Sequence, residues 1–357
     1  MKQYRILAIN PGSTSTKVAI YEGRDLIKEI TLRHSAEELK DFAKVTDQFD
    51  FRKQIILNAV KEAGIDVASL DAVIGRGGVL KPMESGVFEV NDSMKRDLIA
   101  SERGQHASNL GGLIAADIAG GIGVPAYIAD PVVVDELDDV ARISGLPQLG
   151  RTSIFHALNQ KAIARLYAER VGKNYEDLDL IVVHLGGGIS IGAHMHGRVV
   201  DVNQCLDGEA PLSPERAGTL PAGALARMCF SGKYTEAEVL KMITGKGGIV
   251  AHLGINDCRE ASRIAEEGDK KAQLVIDAIG YNTAKFIGSA ATVLEGKVDA
   301  IILTGGIAND KYVTGYIAKR VEFIAPVVVI PGENELEALA FNALRILEGK
   351  DTLKVYA

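Results

Sequence analysis

Ile6-Leu7-Ala8-Ile9-Asn10-Pro11-Gly12-Ser13-Thr14-Ser15-Thr16-Lys17 opens the chain with an apolar run that breaks into a Gly/Ser/Thr turn. The pattern returns as Leu180-Ile181-Val182-Val183-His184-Leu185-Gly186-Gly187-Gly188-Ile189-Ser190, with Ile6 falling on Leu180, a shift of 174 residues. At the same shift and without a gap, Gly12 falls on Gly186, Ala19 on Ala193, Gly23 on Gly197 and Arg24 on Arg198. Each copy reads strand, small-residue turn, strand, Gly-Arg turn, strand; tight turn chemistry between short β-branched runs marks hairpins. In the first copy the strands are expected at 4–9, 17–21 and 26–32. A second echo keeps the same order. Asp71-Ala72-Val73-Ile74-Gly75-Arg76-Gly77-Gly78 resembles Asp299-Ala300-Ile301-Ile302-Leu303-Thr304-Gly305-Gly306, an apolar strand running into Gly-Gly in both. A shift near half of the 357 residues implies two related domains.

Helical patterns fill the gaps. Phe51, Ile55, Ile56, Ala59, Val60 and Ala63 share one helical face. An amphipathic stretch at 154–171 ends at Gly172, a C-cap residue, and further helices are expected at 269–294 and 335–347. Strands at 124–129, 178–184, 300–303 and 327–330 alternate with them, which predicts an α/β class with a mixed sheet in each half. The division is expected between residues 1–150 and 151–334, with residues 335–357 packing back on the first domain and a ligand cleft between the two.

The composition, 47% hydrophobic and 24% charged, is that of an ordinary globular chain and excludes wholesale disorder. A net charge of −7 argues against a nucleic-acid partner. The longest uncharged stretch of the Gly/Ala-rich middle, 118–129, falls short of the roughly 20 residues a membrane helix needs. The polar start MKQYRILAIN does not read as a signal peptide, and three scattered cysteines (Cys205, Cys229, Cys258) read as free thiols, so a cytoplasmic protein is expected.

The two small-residue turns carry the chemistry. Successive backbone N–H groups in such a turn form an anion nest, and two equivalent nests could clamp a polyphosphate from both sides. A P-loop does not supply the site: Gly-Lys occurs at Gly172, Gly232, Gly245, Gly296 and Gly349, never followed by Ser or Thr, and a strict GxGxxG is absent. Gly188-Ile189-Ser190-Ile191-Gly192 matches the hydrolase G-x-S-x-G elbow, but that elbow needs a helix after its serine and here an alternating strand pattern follows. Arg76 at a strand end and Arg216 in an irregular loop sit where a guanidinium can grip carboxylate or phosphoryl oxygens. His106 and His156 lie near helix starts, His156 early in its helix; either could be structural or catalytic. His194 and His196 read as surface residues rather than metal ligands. Asp130 follows a strand, placed for Mg²⁺ or an acceptor, and Glu335 stands at a helix start, where it could hold metal or merely favour the helix dipole.

Together, Ile9-Asn10-Pro11-Gly12-Ser13-Thr14-Ser15-Thr16-Lys17, Gly75-Arg76-Gly77-Gly78, Phe155-His156, His184-Leu185-Gly186-Gly187-Gly188 and Thr304-Gly305-Gly306-Ile307 resemble the acetokinase family of short-chain carboxylate kinases. The resemblance implies two duplicated actin/hexokinase-like (ribonuclease H-like) domains flanking a nucleotide cleft, the first on the acceptor side and the second binding the nucleotide. Phe155-His156 is followed by Ala157-Leu158-Asn159-Gln160 rather than the Gly-Thr-Ser-His of acetate kinases, which points to the branch that phosphorylates butanoate. The implied reaction is reversible, Mg²⁺-dependent, direct in-line transfer of the ATP γ-phosphoryl group to butanoate, giving ADP and butanoyl phosphate. Isobutyrate, propionate or acetate stays open as the acceptor, and a non-catalytic ATPase-type clamp is the reading from another class.

The resemblance also distributes roles. Asn10 approaches the γ-phosphate; Arg76 and Arg216 bind acceptor carboxylate and moving phosphoryl group; His156 donates to that group; His106 lines the acceptor pocket. Asp130 and Glu335 organise Mg²⁺, and His184, Gly186, Gly187 and Gly188 cradle the ATP phosphates. Asp257-Cys258-Arg259 takes the adenosine contact with Cys in place of the family's Phe. Gly305, Gly306, Ile307 and Asn309 line the adenine side, with Asn309 and Asp310 competing for one role. A homo-oligomer, dimeric or higher, is implied as well.

Overall fold

The computed structural model describes Lys2–Ala357. The chain forms two compact units: one runs to Val134 and resumes at Asn334–Ala357, the other is Asp135–Glu333. The division thus lies before the 150/151 expected from sequence. The 135–151 segment belongs with the second unit because Asp138 N–H donates to Val200 O (3.0 Å) and Arg151 Nη2 donates to Asp201 Oδ1 (2.9 Å).

The first unit holds β1 (Arg5–Pro11), β2 (Ser15–Glu22), β3 (Asp25–Arg33), β4 (Ala72–Arg76), β5 (Val87–Glu89) and β6 (Ala126–Ala129), in the order β3-β2-β1-β4-β6-β5. The second holds β7 (Asp179–Leu185), β8 (Ile189–Met195), β9 (Arg198–Val202), β10 (Ala300–Thr304) and β11 (Val327–Val329), in the order β11-β10-β7-β8-β9. Reversed, the second order matches the first through its five shared strands: an antiparallel meander whose first strand pairs in parallel with the next. Ile6 pairs with Ala72, and Leu180 with Ala300. The two sequence echoes are therefore neighbouring parallel strands in both units.

The repeat is not gapless. Ala8 pairs with Ala19, but Val182 pairs with Gly192 rather than Ala193. The second hairpin turn is one residue shorter, because Gly186 N–H closes on Gly188 O (3.1 Å) where Gly12 N–H closes on Ser15 O (2.7 Å).

Alternation builds the second unit's core. Ile181 and Val183 pack on Val275, Ile276, Ile279 and Ile287 of the Lys270–Val293 helix. Leu180, Val182 and Ile302 pack on Ile163, Ala164 and Ala168 of the Ala157–Val171 helix. A sheet covered on both faces explains why its central strands are apolar at nearly every position. The Ala157–Val171 helix is closed by Gly172 at φ 67°, but it starts later than the pattern implied, so His156 is its N-cap. In the first unit the Glu335–Leu347 helix lies on β1, β2, β4 and β6. Among the described residues no helix is long and apolar enough to cross a membrane.

Candidate active site

The first unit gathers three of the expected residues at the carboxyl ends of adjacent strands, where open α/β sheets place their ligands. Asn10 lies near the end of β1, Arg76 ends β4, and Glu335 opens the Glu335–Leu347 helix, where its charge suits the helix dipole. Asn10 Nδ2 donates to Glu335 Oε2 (2.6 Å). Arg76 Nη1 donates to the same oxygen (3.0 Å) and to Asn10 Oδ1 (3.4 Å). His106 Nδ1 accepts from Ser108 N–H (3.2 Å), so a neutral ring carries its proton on Nε2. Crowding by protein, then the Arg76 charge, holds the His106 pKa below its usual value, with Glu335 opposing. Asp130 is buried at the end of β6, its Oδ1 accepting from Ser85 Oγ (2.6 Å) and Gly86 N–H (2.8 Å). Its φ of 39° is left-handed, a strained backbone for a non-glycine residue. Asp130 N–H donates to Gly86 O (3.1 Å), so the strain is clamped from both sides.

The second unit gathers His156, His184, Ser190, the 186–188 turn and Arg216. The His156 and His184 rings stack, centroids 3.7 Å apart and 9° from parallel. His184 Nδ1 donates to Asn159 Oδ1 (2.8 Å), and its Nε2 lies 3.4 Å from Glu333 Oε1. A Cβ on Gly186 would sit 2.8 Å from that Nε2, so only glycine leaves the His184–Glu333 approach open. His156 Nδ1 lies 2.8 Å from Ser190 Oγ. Arg216 crosses the turn so closely that a Cβ on Gly188 would sit 1.7 Å from its Nη1. That Nη1 donates to Cys205 O (2.7 Å). Ser190 lies within β8, so a strand rather than a helix follows it and the elbow geometry of a hydrolase is absent.

The adenosine-side residues form two groups. Asp257 caps the Cys258–Glu266 helix and pairs with Arg259 (2.7 Å), whose hydrogen bond holds the Asp257 carboxyl below the usual range. The Cys258 thiol is in the core, its pKa pushed up to about 12 by burial and by Asp310 and Asp257. Gly305 at φ 88° exchanges hydrogen bonds with Gly332 (3.1 and 3.0 Å). Gly306 and Asn309 are exposed, whereas the Ile307 side chain is packed in the core. Asp310 Oδ1 caps the Lys311–Val321 helix and its Oδ2 accepts from Ser262 Oγ (2.5 Å); Asn309 is left facing solvent, its Nδ2 on Gly306 O (3.0 Å).

His194 corrects the sequence reading. It is fully buried, not superficial, with Nδ1 on Tyr175 Oη (2.7 Å) and Nε2 on Gln160 Oε1 (3.0 Å). The alternating pattern of β8 could not reveal that both sheet faces are covered. His196 does sit in an exposed turn.

Arg52 escaped the sequence altogether. Buried in the Phe49–Glu62 helix, it gathers the oxygens of the first turn: Nη1 donates to Gly12 O (2.8 Å), Ser15 O (3.3 Å) and Thr16 Oγ1 (3.0 Å), and Nη2 to Ser13 O (3.2 Å). Its neighbours in sequence are ordinary helix residues, so only its burial distinguishes it.

Residues 148–328 match the acetokinase family. Over 99% of both chains, the protein is 59% identical to butyrate kinase 1 and 55% identical to butyrate kinase 2 of Clostridium acetobutylicum. Its fold is similar to that of Porphyromonas gingivalis acetate kinase (TM-score 0.79, 20% identity, 96% of this chain and 100% of that one). The fold is more distantly similar to the ROK hexokinase of Thermus thermophilus (TM-score 0.52, 14% identity, 98% and 100% covered). The architecture is thus the actin/hexokinase-like one, and with near full-length identity above one half the chain belongs to the acetokinase family.

Proposed function

We propose that this protein is a butyrate kinase, transferring the γ-phosphoryl group of MgATP to the carboxylate of butanoate and running reversibly from butanoyl phosphate and ADP. The observation that carries the reading is the full-length identity, up to 59%, to enzymes named butyrate kinases. The residue chemistry supports it. A carboxylic acid with a pKa near that of Glu, about 4.3, is already ionised at pH 7 and needs no general base. What the reaction needs is cancellation of repulsion between two anions and an in-line alignment. Two arginines and donor histidines supply that.

In the first unit, Glu335 and Asn10 occupy Arg76 Nη1 and orient the guanidinium. Its Nε and Nη2, which make no hydrogen bond among the described residues, are the donors for the acceptor carboxylate, and His106 lines the acceptor pocket. Asn10 approaches the γ-phosphate. In the second unit, Arg216 and His156 donate to the phosphoryl oxygens in transit, and His184 with the 186–188 amides holds the ATP phosphates. The 257–259 and 305–309 segments contact adenosine, with exposed Asn309 rather than Asp310, both of whose carboxylate oxygens are engaged, as the polar group.

The carboxylates fit Mg²⁺ by donor type, since it prefers oxygen ligands and keeps waters. Glu335 Oε2 takes two hydrogen bonds while its Oε1 takes none among the described residues; Asp130 Oδ1 is tied to Ser85 and Gly86. Glu335 and Asp130 would hold the ion directly or through its waters, and bound Mg²⁺ would neutralise charge on the β- and γ-phosphates.

The test is MgATP-dependent acyl hydroxamate formation across straight-chain acids from acetate to hexanoate, with isobutyrate. The expected outcome is the highest kcat/KM at butanoate. A maximum at another acid would move the acceptor; no carboxylate activity, with ATP still bound, would leave a non-catalytic clamp.

A further inference from the structure

Gly188-Ile189-Ser190-Ile191-Gly192 has the spacing of a nucleophile elbow, and the structure gives each of its small residues another task. Gly188 makes room for Arg216. A Cβ on Gly192 would sit 2.5 Å from Gln160 Oε1 and 3.0 Å from His194 Nε2, so Gly192 makes room for that pair. Ser190 lies between Gln160 and His156.

These contacts form one line of hydrogen bonds whose direction can be worked out. Gln160 Nε2 lies 3.1 Å from Ser190 O, a carbonyl that can only accept, so that atom is the amide nitrogen and Oε1 is the acceptor facing His194. His194 Nε2 therefore carries a proton (3.0 Å), which leaves Nδ1 of the neutral ring to accept from Tyr175 Oη–H (2.7 Å). Complete burial, with Lys161 and Arg165 nearby, keeps His194 neutral. Gln160 Nε2 also donates to Ser190 Oγ (2.8 Å). His156 N–H also points at that oxygen (3.5 Å), so both lone pairs of Ser190 Oγ are taken and the serine hydrogen goes to His156 Nδ1 at 2.8 Å.

We infer that Tyr175, His194, Gln160 and Ser190 are positioning residues that lock His156 in the tautomer with its proton on Nε2. Every donor points the same way, from Tyr175 toward His156, and such unidirectional chains strengthen each bond. The outcome is a neutral imidazole that still offers an N–H from its far nitrogen. Gln160 stands one helical turn after the N-cap His156, its N–H on His156 O (2.9 Å), so helix and side-chain chain hold the same residue. The His184 ring stacked on His156 fixes the plane of that imidazole. Use of the tautomer in phosphoryl transfer rests on the proposed function; its existence does not.

The experiment is ¹⁵N NMR of histidine-labelled full-length protein without substrate at pH 7.5, with the His156 signals assigned by their loss in His156→Gln. The expected wild-type spectrum has His156 protonated on Nε2 and bare on Nδ1. Ser190→Ala should raise the Nδ1-protonated population and lower kcat at least about tenfold, with KM for MgATP and butanoate changed less than about twofold. A wild-type Nδ1–H tautomer would overturn the inference, as would a Ser190→Ala spectrum identical to wild type. A KM loss matching the kcat loss would overturn the positioning role. If Ser190→Ala does not fold, the wild-type spectrum alone decides, and it does so whichever acid the enzyme phosphorylates.

Discussion

Gly188 has no side chain because the Arg216 guanidinium occupies the place where one would start. Gly188→Ala must push Arg216 off its contact with Cys205 O. The expected result is a kcat loss of about 100-fold, the scale on which a misplacement near 1 Å acts. Arg216→Ala should lose at least as much, and the double variant little more than either alone, because both changes remove one interaction. Steady-state kinetics with KM for MgATP held within a fewfold checks this, and additive losses would contradict it. Both residues were visible in the sequence as candidates. Their contact was not, since 28 positions separate them and only the loop's path brings the guanidinium over the turn.

At the scale of elements, the first small-residue turn depends on a helix that does not adjoin it in sequence. Arg52 draws the carbonyls of Gly12, Ser13 and Ser15 to one side. The Gly12 amide closes the turn on Ser15 O, and the Ser13 and Thr14 amides make no backbone hydrogen bond among the described residues. Arg52→Met keeps the bulk but strands those carbonyls. Unsatisfied buried groups cost about 1–3 kcal/mol each, so a destabilisation of about 3 kcal/mol or more is expected in urea unfolding, together with a raised KM for MgATP. A variant of unchanged stability would show that the turn holds its own shape. The helix itself was legible from its apolar spacing. The arginine was not, because periodicity reports which face is buried and says nothing of a polar residue that burial has satisfied.

At the scale of the whole molecule, the chain leaves its first unit at Val134 and returns to it at Asn334. Leu336, Leu339, Ala340, Ala343 and Leu344 of the returning helix are buried. Truncation after Glu333 should therefore unfold the first unit while 135–333 remains resistant to limited proteolysis; a protected fragment from the first unit would refute that dependence. Acid stability offers a second check. Burial, followed by Lys161 and Arg165, depresses the His194 pKa well below its usual value. The native state then binds fewer protons than the unfolded chain below about pH 6.5, and stability falls as pH drops through that region. Tm should decrease from pH 7.5 to 5.5, above the range where most carboxylates titrate, and His194→Gln should flatten the decrease. An equal slope in both proteins would remove His194 from the account.

The amino-acid order by itself determined the duplicated α/β architecture, because the alternation of apolar runs and glycine turns is a local property repeated in each half. It also offered Arg76, His156, Arg216 and Glu335 as candidates by residue type and position, and Asn10 through the family resemblance, for the roles proposed above. Tertiary structure alone decided the one-residue difference between the hairpin turns, the burial of His194 and Arg52, and the direction of the hydrogen bonds that reach His156. Those depend on which groups lose water and which partners replace it, and desolvation is settled by what packs across space rather than by what stands next in the chain.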